Sequence, residues 1–267
     1  AKPHTPIMTV TRCSTHGSSR SVITKAKTTA RKLQSKAAKS AHLSQFFKNY
    51  KCDEKELDPL HFCLLDTVAS LLSPSASVLY PGCHRHVTPS LFFTRVTYVD
   101  SDAKLRPFFA DEAMQAWVQQ NKKFLAPAEL QFSCQDFGKP FPAQIGAAGE
   151  FDLMISASAG IVSTLCCKYL KPRTGLLLVS DAHFDAKEAF LHPHLYEPVA
   201  FWDGQELQHD VSCLAAQFHV VTKGDRSKQA RPITKEQLAE CTAGRPRGKW
   251  SFKEKDARPM FYLFRRR

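Results

Sequence analysis

Five positions of this sequence have residue types and spacing suited to binding a nucleoside. A strand predicted to end at Tyr80 leads into a turn at Gly82, where bare backbone can approach a ligand closely. A second strand ends about 20 residues later in Asp100, whose carboxylate could accept hydrogen bonds from both ribose hydroxyls. Asp136 follows a third strand and could read the amino group of adenine, while Ser156 ends a fourth.

Three of these residues also have an ordinary structural interpretation. Asp100 could cap the turn after its strand, Gly82 could be a plain turn glycine, and Asp136 could be a loop acid. Nucleoside binding requires all three to act together. The sequence therefore favours the absence of a bound cofactor, with a nucleoside cofactor as the alternative.

Two further groups of polar residues suggest metal binding or acid–base chemistry. Cys83, His84 and His86 follow the glycine turn, and zinc accepts mixed Cys and His ligands. Structural zinc sites need four ligands, and this run supplies too few, so we predict no metal site. Residues 180–183 could hold a general acid and base. We favour a strand-end turn capped by Asp181.

Predicted strands and helices alternate along the chain. Strands are predicted at 76–80, 96–100, 129–134, 151–156, 175–180, 197–203 and 260–264. Helices are predicted at 23–40, 53–72, 110–124, 160–170 and 234–241. This alternation predicts an α/β fold, with a doubly wound, mostly parallel sheet and helices on both faces. In such a sheet the candidate residues gather outside the carboxyl ends of the strands.

The strand sequences resemble a known family. In order they are VLYPG, VTYVD, FSCQDF, FDLMIS and GLLLVSDAH, as in the Rossmann-like fold of class I S-adenosylmethionine-dependent methyltransferases. The motif YPG-x-x-x-H-x-TPS-x-x-F, followed by YVD-x-D, resembles more closely a group of uncharacterised methyltransferase-like proteins. The resemblance spans residues 54–267, including the terminal FYLFR strand. It implies that a retained S-adenosylmethionine would contact Tyr80, Gly82, Asp100, Asp136 and Ser156.

The chain departs from this family where the cofactor would bind. Family members usually have an acid before a turn with two or three glycines, whereas Gly82 is alone and residues 83–86 bring side chains to the turn. Residues 156–160 lack the Asn-Pro-Pro-aromatic motif of amino-group methylases, and no cysteine pair has the spacing of cytosine methylases. The sequence therefore predicts a degenerate cofactor motif, favours a domain without catalytic activity and assigns no catalytic residue.

Charge is distributed unevenly along the chain. Residues 1–52 hold 11 basic and no acidic groups, residues 53–222 hold 12 basic and 20 acidic groups, and residues 223–267 hold 14 basic and 5 acidic groups. These divisions predict a basic N-terminal extension, a Rossmann-like body of net charge −8 and a C-terminal segment of net charge +9 that completes the sheet. An acid-free extension needs an anionic partner, or is read by import machinery.

Both basic segments contain candidate contacts to RNA. Lysine and arginine neutralise phosphates, and an aromatic ring among cations, as in GRPRGKWSFK, suits stacking on unpaired bases. The predicted RNA-binding residues are Arg12, Arg20, Lys25, Lys27, Arg31, Lys32, Lys36, Lys39, Arg245, Arg247, Lys249, Trp250, Arg265, Arg266 and Arg267. The alternative is a solvated surface, but two cationic segments around an acidic body favour RNA.

Three functions fit these features. We favour an RNA-binding structural component of an organellar ribosome or a similar ribonucleoprotein, with rRNA and neighbouring subunits as partners. The alternatives are an active S-adenosylmethionine-dependent RNA methyltransferase and a protein-contact subunit of another organellar complex. No apolar stretch approaches the ~20 residues of a membrane span, and irregularly spaced cysteines favour reduced thiols. We expect the mitochondrial matrix in preference to the chloroplast stroma.

Overall fold

The strands of the computed structural model form a main sheet and a smaller sheet. The structure describes residues 40–50, 59–180, 182–222, 229–243, 250–252 and 261–267. The strands are β1 (Ser77–Pro81), β2 (Arg95–Asp100), β3 (Glu129–Cys134), β4 (Leu153–Ser156), β5 (Leu176–Ser180), β6 (Tyr196–Trp202), β7 (Leu207–Gln208), β8 (His219–Thr222), β9 (Ala230–Pro232), β10 (Trp250–Phe252) and β11 (Phe261–Arg266). The main sheet has the order β3-β2-β1-β4-β5-β11-β6-β7, and the smaller sheet has the order β10-β8-β9.

The main sheet is mostly parallel, as the sequence predicted. Strands β1 to β5 pair in parallel, while β11 runs antiparallel between β5 and β6. Strands β1, β4 and β5 are buried along their whole length. Burial on both faces explains why they read as continuous apolar runs instead of alternating patterns.

Helices cover both faces of this sheet, which confirms the predicted fold class. They are α1 (Ala41–Asn49), α2 (Pro59–Ser70), α3 (Arg106–Phe109), α4 (Glu112–Asn121), α5 (Ser163–Cys166), α6 (Asp185–Phe190), α7 (Leu214–Gln217) and α8 (Lys235–Thr242). One face packs α1, α2 and α4 into a core that includes Phe46, Leu65 and Met114. The opposite face packs α5, α6 and α8 around Leu177 and Phe264.

Two predicted helices differ from those observed. The helix predicted at 110–124 is shortened to α4, which starts at Glu112 because the Asp111 side chain accepts hydrogen bonds from the backbone N–H groups of Ala113 and Met114. The helix predicted at 160–170 starts only at Ser163, because Gly160 adopts a positive φ of 95° that no helix contains. In both cases a local backbone feature overrides the apolar periodicity.

Helix α1 packs against the body although the sequence placed it in the basic extension. Phe46 is fully buried, and its ring lies 5.4 Å from the ring of Trp117 on α4. Ser40 caps α1 by accepting from the N–H of Leu43, and it donates to Asp111 at 2.6 Å. Residues 1–39, which hold most of the helix predicted at 23–40, lie outside the described part of the chain. The extension therefore joins the body at a defined point, Ser40.

The Ser40→Ala variant tests this junction. We expect it to lower the free energy of unfolding by about 1–2 kcal/mol, because one hydroxyl both caps α1 and binds the Asp111 carboxylate. Ser44→Ala is the matched control, since the exposed Ser44 hydroxyl only donates to a backbone carbonyl. Urea unfolding followed by tryptophan fluorescence measures both. Equal losses in the two variants would contradict the role of Ser40.

The described residues show neither a membrane-length helix nor a disulfide. Across the ranges given above, every helix is too short or too polar to cross a bilayer. The described cysteines, which include Cys83, Cys166 and Cys167, are free thiols. Cys13 and Cys52 lie outside these ranges.

Candidate functional site

The parallel strands end together at one edge of the main sheet. We call the ends of β1 to β4, with the residues directly after them, the carboxyl edge: 81–86, 100–102, 135–138 and 156–160. The N–H of Gly82 donates to the carbonyl of Val99 at 2.7 Å, and the N–H of Gln135 donates to that of Asp100 at 2.9 Å. The turns after β1, β2 and β3 are thereby tied to one another.

The loop after β4 lies directly on Gly82. Gly82 has a φ of +64°, and a Cβ added there would overlap the Cβ of Ala159 and lie 3.2 Å from its Cα. The ring of Phe137 borders the same point, with its Cε1 3.7 Å away. Position 82 therefore requires glycine, because any side chain there would collide with the loop after β4. A ligand approaching this backbone would meet Ala159.

Asp100 caps the turns around it. Its Oδ2 accepts from the N–H of His84 at 3.0 Å, and its Oδ1 accepts from the N–H of Asp102 at 2.9 Å. The carboxylate is half-buried. These two bonds are the capping role that the sequence offered as the alternative to a ribose contact, and they fix the direction of the side chain.

Asp136 lies in a solvent-exposed turn after β3. Its Oδ1 accepts from the N–H of Gly138 at 2.8 Å, which makes a local Asx turn. Because β2 and β3 pair with Asp100 opposite Cys134, Asp136 is brought to the same edge as Asp100. The structure thus places two carboxylates on neighbouring turns.

Tyr80 faces the core instead of the carboxyl edge. It is 3% exposed, its hydroxyl lies 3.0 Å from Nδ1 of His86, and burial raises its pKa well above the ordinary value. The ring of Tyr50, just after α1, stacks on His86 with centroids 4.5 Å apart. Helix α1 and the turn after β1 therefore share one aromatic cluster.

Ser156 forms a hydrogen bond with a buried carboxylate. Its hydroxyl donates to Oδ2 of Asp185 at 2.5 Å, and Asp185 also accepts from the N–H of Ser163 at 3.0 Å. Desolvation raises the pKa of Asp185, while the hydrogen bonds from Ser156 and Ser163 oppose that shift. Asp185 thus ties both ends of the loop that covers Gly82, a role with no signal in the sequence.

The pH dependence of stability tests the buried state of Asp185. A raised folded-state pKa means that the folded protein binds this proton more tightly, so its stabilisation is full at low pH and is lost as pH rises through that pKa. We expect Asp185→Asn to remove this pH-dependent component. The free energy of unfolding of the variant, relative to that of the parent, should therefore rise with pH. Unfolding curves over the acid range measure it. A pH-independent difference would contradict the assignment.

The cysteine and histidines after Gly82 do not converge on one point. Cys83 is 1% exposed, and burial raises the pKa of its thiol. His84 has a positive φ of 46° and is exposed overall, but partial desolvation of its ring, followed by the charge of Arg85, lowers its pKa. Among the residues that the structure describes, no three His, Cys, Asp or Glu side chains are grouped as metal ligands. Asp181 lies outside the described residues.

Several predicted RNA contacts can be located. Trp250 is 5% exposed and its indole N–H donates to Glu240 at 3.3 Å, so a base could stack on it only after this packing opens. Arg265 and Arg267 approach Glu197 at 3.0 and 3.6 Å. The remaining predicted contacts lie outside the described residues: Arg12, Arg20, Lys25, Lys27, Arg31, Lys32, Lys36, Lys39, Arg245, Arg247 and Lys249.

Arg266 is half-buried and bonded to the fold because it is the last residue of β11. Its guanidinium donates to the carbonyls of Lys168, at 3.1 Å, and Leu170. The sequence missed this because it ended the last strand at residue 264. It also missed Ala159 and Asp185, although the small residues at 156–160 hinted at close packing.

The fold belongs to a recognisable structural class. A mostly parallel sheet with the antiparallel β11 between β5 and β6 is a Rossmann-like, methyltransferase-type sheet. No family model and no curated protein matches the sequence. Assignment beyond the fold therefore depends on the geometry of the chain itself.

Solved structures are similar to this chain at low identity. A functionally unknown protein from Deinococcus radiodurans R1 is 17% identical with a TM-score of 0.40, covering 78% of this chain and 87% of its own. The 23S rRNA methyltransferase ErmE is 12% identical with a TM-score of 0.36, covering 81% and 69%. The methyltransferase CalH, solved with SAH, is 13% identical with a TM-score of 0.30, covering 51% and 36%. These likenesses concern the fold alone.

Proposed function

We propose that this chain is an RNA-binding structural component of an organellar ribosome or a similar ribonucleoprotein, with its methyltransferase-type domain serving as a scaffold. The main support for this proposal is the loop on Gly82, where Ala159 occupies the space that a Cβ at position 82 would need. Asp185 and Ser156 hold that loop in place. The carboxyl edge therefore fits protein packing better than it fits S-adenosylmethionine.

Charge supports RNA as the partner. The extension has a net charge of +11 over residues 1–52, and the segment 223–267 has +9. Such segments gain affinity for nucleic acid by releasing the counterions of phosphates. The body between them has a net charge of −8, so the binding potential is concentrated outside it.

The described strands support a joint role for two of the basic runs. Thr222 and Trp250 are partners in the antiparallel pair of β8 and β10. The chain leaves β8 into residues 223–228 and enters β10 from residues 244–249, so both runs connect to neighbouring strand ends. Their cations are Lys223, Arg226, Lys228, Arg245, Arg247 and Lys249.

The setting of the proposal is the mitochondrial matrix, with rRNA and adjoining ribonucleoprotein subunits as partners. An acid-free extension suits threading among phosphates, and its junction at Ser40 would attach the body to the RNA-bound extension.

Filter binding of the full chain to ribosomal RNA tests this function. We expect the logarithm of the affinity to fall linearly with the logarithm of salt concentration, with a slope of about −5 or steeper, as for a protein neutralising six or more phosphates. A tRNA serves as the competitor. Absence of binding at about 0.1 M salt would contradict the proposal.

One observation favours a second candidate, an active S-adenosylmethionine-dependent RNA methyltransferase. Asp100 and Asp136 place two carboxylates on neighbouring turns of the carboxyl edge, as ribose and adenine recognition would require. Incubating the full chain with RNA and the methyl-labelled cofactor distinguishes the candidates. Label in RNA that depends on Asp100 would establish the enzyme.

A further inference from the structure

Three cationic residues before β5 lie beside three arginines at and directly after the end of β11. We call Lys168, Lys171, Arg173, Arg265, Arg266 and Arg267 the basal cluster. Its members come from two segments whose contacts join residues 96 and 98 positions apart in sequence, and the antiparallel pairing of β5 with β11 brings them together. Arg265 is the register partner of Leu176, the first residue of β5. The cluster therefore lies at the opposite edge of the sheet from the carboxyl edge.

Direct contacts hold the two segments of the basal cluster together. The N–H of Arg266 donates to the carbonyl of Gly175 at 2.8 Å, and its guanidinium donates to the carbonyls of Lys168 and Leu170. The turn itself is closed by the N–H of Gly175 donating to the carbonyl of Lys171 at 2.9 Å. The backbone positions of the cations are thus fixed by the fold.

The nearby acids neutralise only part of this charge. Lys171 pairs with Asp152 at 2.7 Å, and Glu197 faces Arg265 and Arg267 at 3.0 and 3.6 Å. Glu150 follows Gly149, whose N–H donates to the carbonyl of Lys168 at 2.8 Å, and it accepts from the N–H of Ala147. Six cations against these three acids leave a net charge of +3, and three of the six cations come from the body segment, which is acidic as a whole.

The side chains that stay accessible are suited to phosphates. Lys168 and Arg173 are exposed, and Arg173 is held in a turn with a φ of +65°. The side chains of Arg265 and Arg267 are 47% and 55% exposed despite their contacts with Glu197. Arginine presents a planar fork that matches phosphate oxygens, and its charge persists at every physiological pH.

We propose that the basal cluster binds the sugar–phosphate backbone of RNA and is the contact that the folded body itself makes. The inference depends on the proposed RNA-binding function and adds a specific surface to it. Tyr169, next to Lys168 in the turn, is 4% exposed and has the Lys168 ammonium 5.0 Å from its ring centroid, so this ring offers bases no stacking surface. The contact is therefore to the backbone and is independent of base sequence.

A double substitution tests the basal cluster. Lys168→Gln with Arg173→Gln should raise the Kd for ribosomal RNA about tenfold at ~0.1 M salt and reduce the salt slope by about 1.5, the value for two phosphates that are no longer neutralised. The matched control is Lys104→Gln with Arg106→Gln, which removes the same charge from two exposed residues following β2. The control should change the Kd less than about twofold. Both pairs are measured in the full chain and in a chain whose residues 1–39 carry glutamine for every lysine and arginine.

The outcomes separate this inference from the function on which it depends. Equal effects of the two pairs, with the parent still binding RNA, would overturn the basal cluster and leave the proposed function standing. A parent chain that does not bind RNA would overturn both. Loss of binding to phosphatidylserine vesicles, without any change in RNA binding, would assign the cluster to a membrane surface and contradict the inference.

Discussion

Replacing the nine lysines and arginines of residues 1–39 by glutamine is expected to weaken RNA binding by the full chain about 1,000-fold at ~0.1 M salt. Each neutralised phosphate releases a condensed counterion, so the salt slope should fall by about 0.7–0.9 for every phosphate that the variant leaves unneutralised. The acid-free composition makes the effect large, because none of these cations is neutralised within the extension.

A scrambled extension with unchanged composition is the control for that experiment. We expect it to retain affinity within a fewfold, because binding to phosphates depends on charge and reach more than on residue order. If the scrambled chain loses as much affinity as the glutamine chain, the extension acts through a specific folded structure. If neither loses affinity, the extension is not an RNA anchor.

The Gly82→Ala variant should have the largest effect on stability, a loss of about 2–5 kcal/mol. Its added Cβ would overlap Ala159, which costs about 1–3 kcal/mol in a packed site, and a left-handed backbone costs a residue other than glycine about 1–2 kcal/mol. Urea unfolding of the purified variants measures the change. The loss follows from the loop being seated on the glycine.

Two companion variants separate these causes. Gly149→Ala carries a similar left-handed φ of +74°, but its Cβ would lie 3.4 Å from Pro172, so it should show the backbone cost alone. Ala159→Gly combined with Gly82→Ala should recover part of the overlap cost, because the Cβ of Ala159 is the atom that is overlapped. A Gly82→Ala loss no larger than that of Gly149→Ala would show that the loop does not rest on Gly82.

The architecture followed from the sequence because its signals are local. The strand predicted at 129–134 matches β3 to the residue, and GLLLVS differs from β5 by one residue. These runs are apolar and end at turn residues, so each segment contains its own boundaries. The capping box of α8, formed by Thr234 and Gln237, is equally local and the helix was predicted.

The site depended on contacts that no single segment encodes. Ala159 meets Gly82 from another loop, and Asp185 binds Ser156 across 29 positions of sequence. Helix α1 was missed because its two buried residues, Leu43 and Phe46, are too few to make a periodic apolar pattern. Its stability comes from packing on Trp117. The arginines at 265–267 read as a cationic tail, yet pairing within the sheet makes Arg265 and Arg266 part of β11.

Binding of S-adenosylmethionine to the full chain, measured by isothermal titration calorimetry, tests most directly the central claim that the carboxyl edge is closed and the domain is a scaffold. We expect no saturable heat up to about 1 mM ligand, which corresponds to an affinity weaker than about 4 kcal/mol. A Kd of about 10 μM or lower that is lost in Asp100→Ala would contradict the claim and establish a working cofactor site.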